Sequence, residues 1–136
     1  MKDYVILTDS CSDLSKDVRE SLGIDYVQMN IVYDGKELPA SLDWDLYTPQ
    51  ELYNLMRNGT RITTNQVPVQ TFTTVFTKYL EDGKDIVYIG CSSALSGSVN
   101  TGKVVADELE EKYPDNKVYV IDSLNSCLGE GLMVID

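Results

Sequence analysis

The sequence predicts an α/β fold in which a mainly parallel sheet is flanked by helices. Short β-branched and aromatic runs, typical of buried strands, alternate with segments whose apolar residues recur at helical spacing. Strands that alternate with helices favour parallel pairing, because each helix returns the chain to the start of the next strand. The chain of 136 residues, 43% hydrophobic and 24% charged, suits one globular domain.

Local signals set the predicted element boundaries. The clearest helix start is Thr48, because Pro49 suits the first helical position and Glu51 completes a capping box. Gly23 follows a periodic apolar segment as a left-handed cap, and Asp34-Gly35 predicts a tight turn. The predicted strands cover residues 4–8, 24–33, 36–40, 86–89 and 118–121, and the predicted helices cover 14–22, 48–59, 72–83, 99–113 and a last segment from near Ser126, with loops over 61–68 and 91–97.

Charge and composition exclude several classes of function. The net charge of -11 disfavours binding to nucleic acid or to an anionic membrane surface, since both need clustered Lys and Arg. No apolar run reaches the roughly 18–20 residues of a membrane span, and the N-terminus lacks signal-peptide features, so we expect a cytoplasmic protein without stable membrane insertion. The chain has no histidine and three widely spaced cysteines, which argues against His-based catalysis, a zinc site or a disulfide scaffold.

Small hydroxyl and acidic residues follow three of the predicted strands. They occupy residues 8–10, 91–93 and 122–123, and a similar polar run covers 63–66. Ligands of parallel sheets bind beyond the carboxyl ends of the strands, so these residues are candidates for one site. Without histidine, the hydroxyl groups can donate hydrogen bonds to an anion, together with backbone N–H groups at helix N-termini. The alternative is that they only cap helices, a role that Ser, Thr and Asp favour.

Nucleophilic chemistry is a weaker alternative. The segment 90–94 resembles a serine nucleophile elbow, but no partner base is evident. Cys11, Cys91 and Cys127 each lie near a strand end and could share one rim, although lone cysteines usually act as small buried hydrophobes. Trp44, between two aspartates, is interpreted as a surface or hinge anchor.

Five motifs in order along the whole chain resemble the DegV family of bacterial fatty-acid-binding proteins. Thr8-Asp9-Ser10 with Asp13-Leu14 resembles the family's opening T-D-S-x-x-D-L motif. The second match is Thr48-Pro49-Gln50-Glu51-Leu52-Tyr53, which resembles T-P-E-E-F-Y, and the third is Thr63-Thr64-Asn65-Gln66, which resembles T-T-S-Q-P. The fourth is Ser92-Ser93-Ala94-Leu95-Ser96-Gly97-Ser98, which resembles S-S-G-L-S-G-T. The fifth is Ile121-Asp122-Ser123, followed by Gly129 and Gly131, which resembles the family's D-S before a glycine-bearing helix.

The resemblance implies a lipid carrier and not an enzyme. Family members hold one long-chain fatty acid between two lobes and present its carboxylate to a separate fatty-acid kinase, with no other cofactor and no metal. By motif match, Thr63, Thr64, Ser92 and Ser93 would bind the carboxylate. The implied pocket rim is Thr8, Asp9, Ser10, Asn65, Ser96, Gly97, Asp122 and Ser123. The family chain is about twice as long, and the last helix has hardly begun at Asp136, so we expect residues 1–136 to be the N-terminal lobe of a two-lobed protein, a fragment lacking the C-terminal lobe.

Three departures from the family motifs bear on the head-group geometry. Asn65 replaces a serine, Pro68 lies one place late, and Ala94 replaces a glycine, which would be strained at positive φ. Two other functions stay open: a small-molecule hydrolase that uses Ser92 or Ser93, and a non-catalytic module that docks a basic partner through its acidic surface.

Overall fold

A computed structural model describes residues 2–136. The elements in chain order are β1 (Tyr4–Asp9), α1 (Lys16–Leu22), β2 (Asp25–Val27), β3 (Asn30–Tyr33), β4 (Lys36–Pro39), α2 (Pro49–Arg57), β5 (Thr63–Asn65), α3 (Val69–Glu81), β6 (Asp85–Gly90), α4 (Ser98–Lys112), β7 (Val118–Asp122) and α5 (Cys127–Ile135). The main sheet is wholly parallel, with strand order β2-β1-β6-β7. The predicted α/β class and mainly parallel sheet are confirmed.

The larger core lies between the main sheet and helices α3 and α4. Phe72 and Phe76 of α3 are fully buried and pack edge-on, with ring centroids 5.3 Å apart. The Phe72 ring also contacts Tyr88 of β6, at a centroid distance of 5.2 Å. Gly102 of α4 lets the helix approach these rings, because a Cβ there would lie 3.2 Å from both Phe72 and Tyr88.

The opposite face of the main sheet is covered by α1 and α5. Leu14, Ile24, Ile89 and Val134 form a smaller buried cluster there. Gly131 allows α5 to lie close to the loop after β1, because a Cβ at this position would come 2.4 Å from the Ser12 carbonyl oxygen. This packing fixes α5 beside the carboxyl ends of the strands.

A second, antiparallel sheet corrects two sequence predictions. The single strand predicted over 24–33 is two strands, β2 and β3, in different sheets, because the Met29 N–H donates to Ser10 Oγ at 3.0 Å and turns the chain away. The segment 61–68 is not entirely a loop, because β5 pairs with β3. The order of this sheet is β4-β3-β5, and the hairpin turn at Asp34-Gly35 is confirmed, with φ values of 50° and 70°.

Burial on β7 and α4 also differs from the prediction. β7 is an edge strand and not a buried one, with Tyr119 57% and Ile121 40% exposed. On α4, Val105 and Leu109 point inward as predicted, whereas Val104 is exposed. Strand composition alone did not distinguish an edge strand from a central one.

Several local predictions are confirmed. Thr48 caps α2 through a complete capping box, and Gly23 ends α1 in the left-handed conformation. The final helix begins directly after Ser126.

Candidate functional site

The carboxyl ends of β1, β6 and β7 bring their polar residues to one edge of the main sheet. The Ser10 N–H donates to the Val27 carbonyl at 3.1 Å, and the Ser123 N–H donates to the Gly90 carbonyl at 3.2 Å. The Ser92 N–H donates to the Asn125 carbonyl at 2.8 Å. The loops after the three strands are therefore joined to their neighbours by backbone hydrogen bonds, as the parallel topology predicted.

Asp9 is the centre of a buried hydrogen-bond network at this edge. Its Oδ2 accepts bonds from the Tyr88 hydroxyl and from the Cys91 N–H, each at 2.9 Å. Its Oδ1 accepts a bond from the Cys11 N–H, also at 2.9 Å. Burial, with the Asp9 charge beside it, raises the pKa of the Tyr88 hydroxyl well above its usual range. Asp9 thus holds the starts of two loops in place.

Thr8 and Glu130 extend this buried network towards α5. The Thr8 hydroxyl donates to Glu130 Oε1 at 3.0 Å, and all three of Thr8, Asp9 and Glu130 are fully buried. Burial, and then the nearby Asp9 charge, raises the pKa of Glu130 to about 9. The second Glu130 oxygen has no hydrogen-bond partner within residues 2–136. We refer to Thr8, Asp9, Tyr88 and Glu130 as the buried centre.

Three of the eight predicted rim residues are buried. Thr8 and Asp9 lie beneath the surface, and Ser123 is also buried. Ser10 is partly exposed. Glu130 was missed by the sequence reasoning, and the only available signal was an acidic residue between two glycines in an otherwise apolar helix.

Ser92 and Ser93 differ in their surroundings. Ser92 is buried, and its Oγ accepts a bond from the Ala94 N–H at 3.2 Å, so its hydroxyl shapes the turn and does not cap α4. Ser93 is exposed, and its N–H donates to Asp122 Oδ1 at 3.1 Å. Hydrogen bonds from Ser93, and a further bond from the Leu124 N–H, lower the pKa of Asp122. A carboxylate with a lowered pKa is a weak base, which disfavours the hydrolase alternative.

A second polar region, open to solvent, lies between β5 and the start of α4. It is a cleft of about 350 Å³, which we call the head-group cleft, lined by Met29, Thr64, Asn65, Gln66, Leu95, Ser96 and Gly97. The structure therefore brings Thr64 and Asn65 next to Ser96 and Gly97, four residues that the motif match predicted. Thr63 and Ser93 are exposed but are not part of this lining.

Hydrogen bonds hold the two walls of the head-group cleft together. Gln66 Nε2 donates to Thr101 Oγ1 at 2.8 Å, and the Val67 N–H donates to Ser98 Oγ at 3.0 Å. Gly97 leaves space for the Gln66 side chain, because a Cβ there would lie 1.9 Å from Gln66 Oε1. The Asn65 amide donates to Glu37 Oε1 at 3.0 Å.

The family departures do not strain the described backbone. Ala94 lies outside the left-handed region in which glycine is favoured, so its replacement of a glycine causes no conformational cost. Pro68 immediately precedes the first turn of α3, with φ -64°, a value that proline adopts without strain.

The cysteines do not form a common reactive rim. Cys91 is buried, Cys11 is half-buried and Cys127 is exposed, and all three are free thiols. Burial raises the pKa of both Cys11 and Cys91, which keeps these thiols protonated and poorly nucleophilic. Among the residues that the structure describes, no group of three or more His, Cys, Asp or Glu side chains could hold a metal ion. Residues 2–136 also contain no helix that is long and apolar enough to cross a membrane.

The fold and its strand-end clefts define a parallel α/β domain with a polar site at the carboxyl edge of the sheet. Residues 3–136 match the family model described as "Uncharacterised protein, DegV family", and the chain belongs to the DegV family. A DegV domain-containing protein of Clostridium perfringens is 40% identical over 134 residues, which cover 98% of this chain and 46% of that protein. The chain thus spans about half the length of the curated relatives it matches.

Solved structures of similar proteins have the same fold. A stearic acid-binding protein from Eubacterium ventriosum superposes with a TM-score of 0.87 at 28% identity, covering 96% of this chain and 45% of that one. A fatty-acid-binding DegV family protein from Thermus thermophilus has a TM-score of 0.84 at 31% identity, covering 99% of this chain and 45% of that one. Both are fatty-acid-binding proteins.

Proposed function

We propose that this chain is the N-terminal, head-group-binding lobe of a long-chain fatty-acid carrier. The observation that carries the proposal is the head-group cleft, which brings Thr64 together with Gly97, the residue that precedes α4, in a fold shared with fatty-acid-binding proteins. The proposed ligand is a fatty acid, whose carboxylate would occupy the cleft.

The chemistry of the head-group cleft suits a carboxylate. None of its lining residues is ionisable, although the whole chain carries a net charge of -11. In the part of the chain that the structure describes, the N–H groups of Val99 and Asn100 in the first turn of α4 have no hydrogen-bond acceptor. A helix N-terminus favours an anion through such free N–H groups and the helix dipole. Thr64 adds a hydroxyl donor from the opposite wall.

The carboxylate that is bonded to the cleft residue Asn65 is already engaged in hydrogen bonds. Glu37 accepts bonds from the side-chain amides of Asn30 and Asn65, at 2.8 and 3.0 Å. These two bonds lower the pKa of Glu37 and bind its charge to the small antiparallel sheet. Asn65, the departure from the family serine, therefore holds an acidic group in place beside the cleft.

The acyl chain needs more apolar surface than Met29 and Leu95 of the cleft provide. Leu95, Leu124, Leu128 and Leu132 are 66–76% exposed, on the loops after β6 and β7 and on α5. We assign this surface to contacts with the acyl chain and with a second lobe, so that residues 1–136 form one half of the binding site. A C16 tail contributes roughly 12 kcal/mol of gross burial, whereas each charge-assisted hydrogen bond adds about 1.5–3 kcal/mol. The tail therefore sets affinity and the donors set orientation.

The proposed carrier presents the carboxylate of its bound fatty acid to a separate fatty-acid kinase and catalyses no reaction itself. Two observations support a role without catalysis. The Ser92 hydroxyl is bonded within a turn, and the lowered pKa of Asp122 makes its carboxylate a weak base. The exposed position of the head-group cleft would leave the carboxylate accessible to a phosphoryl donor held by the partner.

The test compares three hydroxyl variants of the purified chain for palmitate binding. Thr64→Val keeps the size of the side chain and removes the donor, so affinity should fall by about 10-fold, equivalent to about 1.5 kcal/mol. Ser92→Ala should lower stability by about 1 kcal/mol and leave binding unchanged, because this hydroxyl belongs to a turn.

Ser93→Ala separates the two candidate head-group positions. If the motif-based assignment is right, Ser93→Ala weakens binding as much as Thr64→Val does; if the carboxylate lies only in the head-group cleft, it has no effect. Thr74→Val, an exposed change on α3, serves as the control. Unchanged affinity in both Thr64→Val and Ser93→Ala would overturn the proposed head-group site, and absence of any palmitate binding would overturn the proposal for this chain.

A further inference from the structure

A larger cavity lies beside the head-group cleft: Ser10 in its lining accepts a hydrogen bond from the Met29 N–H of the cleft, and Ile31 in its lining pairs with Thr64. Its volume is about 780 Å³, within the range of small-molecule sites, and it shares no lining residue with the head-group cleft. It is lined by the loop after β1, the start of α1, β3, the segment 40–47, α2 and Cys127 at the start of α5. Of the predicted rim residues, Ser10 alone lines this cavity.

The cavity has an apolar floor and an aromatic wall. Leu14, Ile31 and Leu52 line it and are each less than 9% exposed. Trp44 and Tyr47 line its side, with ring centroids 5.8 Å apart and planes at 82°. The floor can therefore bury a hydrocarbon group, and the ring faces can attract a cation.

The charges around the cavity have one predominant sign. Among the residues that the structure describes, three aspartates and one lysine are the only Asp, Glu, Lys or Arg side chains that line it. Asp43 forms an ion pair with Arg19, and Lys16 is 3.8 Å from Glu20 on the exposed face of α1. Asp13 and Asp17 have no ion-pair partner within residues 2–136. A ligand in this cavity therefore meets two uncompensated carboxylates.

We propose that this cavity binds an organic ammonium ion with an apolar body. The apolar floor would bury the hydrocarbon part, while the ammonium group would lie between the carboxylates of Asp13 and Asp17 and the aromatic wall. Carboxylates and aromatic faces both stabilise a cation and both repel an anion. The cavity therefore favours a cation, whereas the head-group cleft favours an anion. The carboxylate of a free fatty acid would be repelled from the cavity.

The sole tryptophan of the chain makes the proposal directly measurable. Trp44 is in the cavity wall, so its fluorescence should change saturably when hexylammonium chloride is added to the purified chain. Hexanoate has the same length and the opposite charge, and hexanol is neutral. We expect hexylammonium to bind at least about 10-fold more tightly than hexanoate, because each nearby carboxylate attracts the ammonium group and repels the carboxylate of hexanoate.

Two isosteric variants locate the cation. Asp13→Asn and Asp17→Asn should each weaken hexylammonium binding by about fivefold, the effect of one carboxylate a few ångströms away in a wet site. Asp107→Asn, on the exposed face of α4, should leave it unchanged. Thr64→Val should also leave it unchanged, which separates this site from the proposed fatty-acid site. The proposal is overturned if the fluorescence change does not saturate, if hexanoate or hexanol binds equally well, or if both aspartate variants bind like the unaltered chain.

Discussion

The buried centre and the head-group cleft are built from similar residues but have opposite surroundings. In the buried centre, Asp9 accepts three hydrogen bonds at 2.9 Å, and no water-accessible surface remains on it. In the head-group cleft, Thr64 is exposed, and beside the cleft the Val99 and Asn100 N–H groups of α4 have no acceptor within the described chain. The first set holds the loops together, and the second leaves donors available for a ligand.

This contrast shows that residue type does not separate scaffold from site. Both sets include residues at strand ends and contain hydroxyl groups, and the family motifs include members of each. What separates them is exposure: the groups around Asp9 are buried and bonded to one another, whereas the exposed Thr64 hydroxyl has no hydrogen-bond partner within the described residues and is able to bind a ligand. The predictions below test this division.

Removing the central carboxylate should have the largest effect on stability. Asp9→Ala leaves the Tyr88 hydroxyl and the N–H groups of Cys11 and Cys91 without their acceptor, so the free energy of unfolding should fall by about 3 kcal/mol or more. Denaturant unfolding measures this change. Asp107→Ala, on the exposed face of α4, should change stability by less than about 0.5 kcal/mol. An equally small effect of Asp9→Ala would mean that the buried centre does not hold the loops.

Glu130 should make stability depend on pH. Its pKa is about 9 in the folded protein, against an ordinary value of 4.5, so the folded state binds this proton more tightly than the unfolded state. The stabilisation is fully present below about pH 4.5 and is lost as the pH rises towards 9. The chain has no histidine, so few other groups titrate in this window.

Glu130→Gln isolates this effect. The variant keeps an oxygen for the Thr8 hydroxyl and is always neutral, so its unfolding free energy should vary much less between pH 5 and 8 than that of the unaltered chain. At pH 8 it should be more stable, by a few kcal/mol at most. If the unfolding free energies of the variant and of the unaltered chain change with pH in the same way, Glu130 is ionised in the folded state, contrary to this account.

Substitutions at two glycines should have smaller effects on stability. Gly131→Ala would place a Cβ 2.4 Å from the Ser12 backbone oxygen, so α5 must shift, at a cost of about 1–3 kcal/mol. Gly97→Ala would meet only the end of the Gln66 side chain, which can rotate away. Its stability should change by less than about 1 kcal/mol, while palmitate binding should weaken because the displaced Gln66 enters the cleft. Thermal unfolding and palmitate titration of both variants test the difference, and an equal loss of stability would contradict it.

Elements with local sequence signals were predicted well. The capping box at Thr48 and the turn at Asp34-Gly35 are determined by neighbouring residues, and the structure confirms both. The break between β2 and β3 was missed because it depends on a long-range hydrogen bond from the Met29 N–H to Ser10. β5 was missed because its three polar residues form a strand only when paired with β3.

The family motifs named candidate site residues but not their environment. Four of the named residues share a cleft: Thr64, Asn65, Ser96 and Gly97. The motifs gave no indication that Thr8 and Asp9 lie beneath the surface, because burial depends on α5 covering the strand ends. Glu130 is the residue that completes this cover, and its partner Thr8 is 122 positions away in sequence.

The most direct test of the division between scaffold and site is an NMR titration of the ¹⁵N-labelled chain with palmitate. This account predicts that the largest amide shift changes occur at residues 64–66 and 96–100, around the head-group cleft. The amides of Cys11 and Cys91, which are bound to Asp9, should change little. Larger changes at Cys11 and Cys91 than around Thr64 and Gly97 would contradict the account, because the ligand would then be binding at the buried centre.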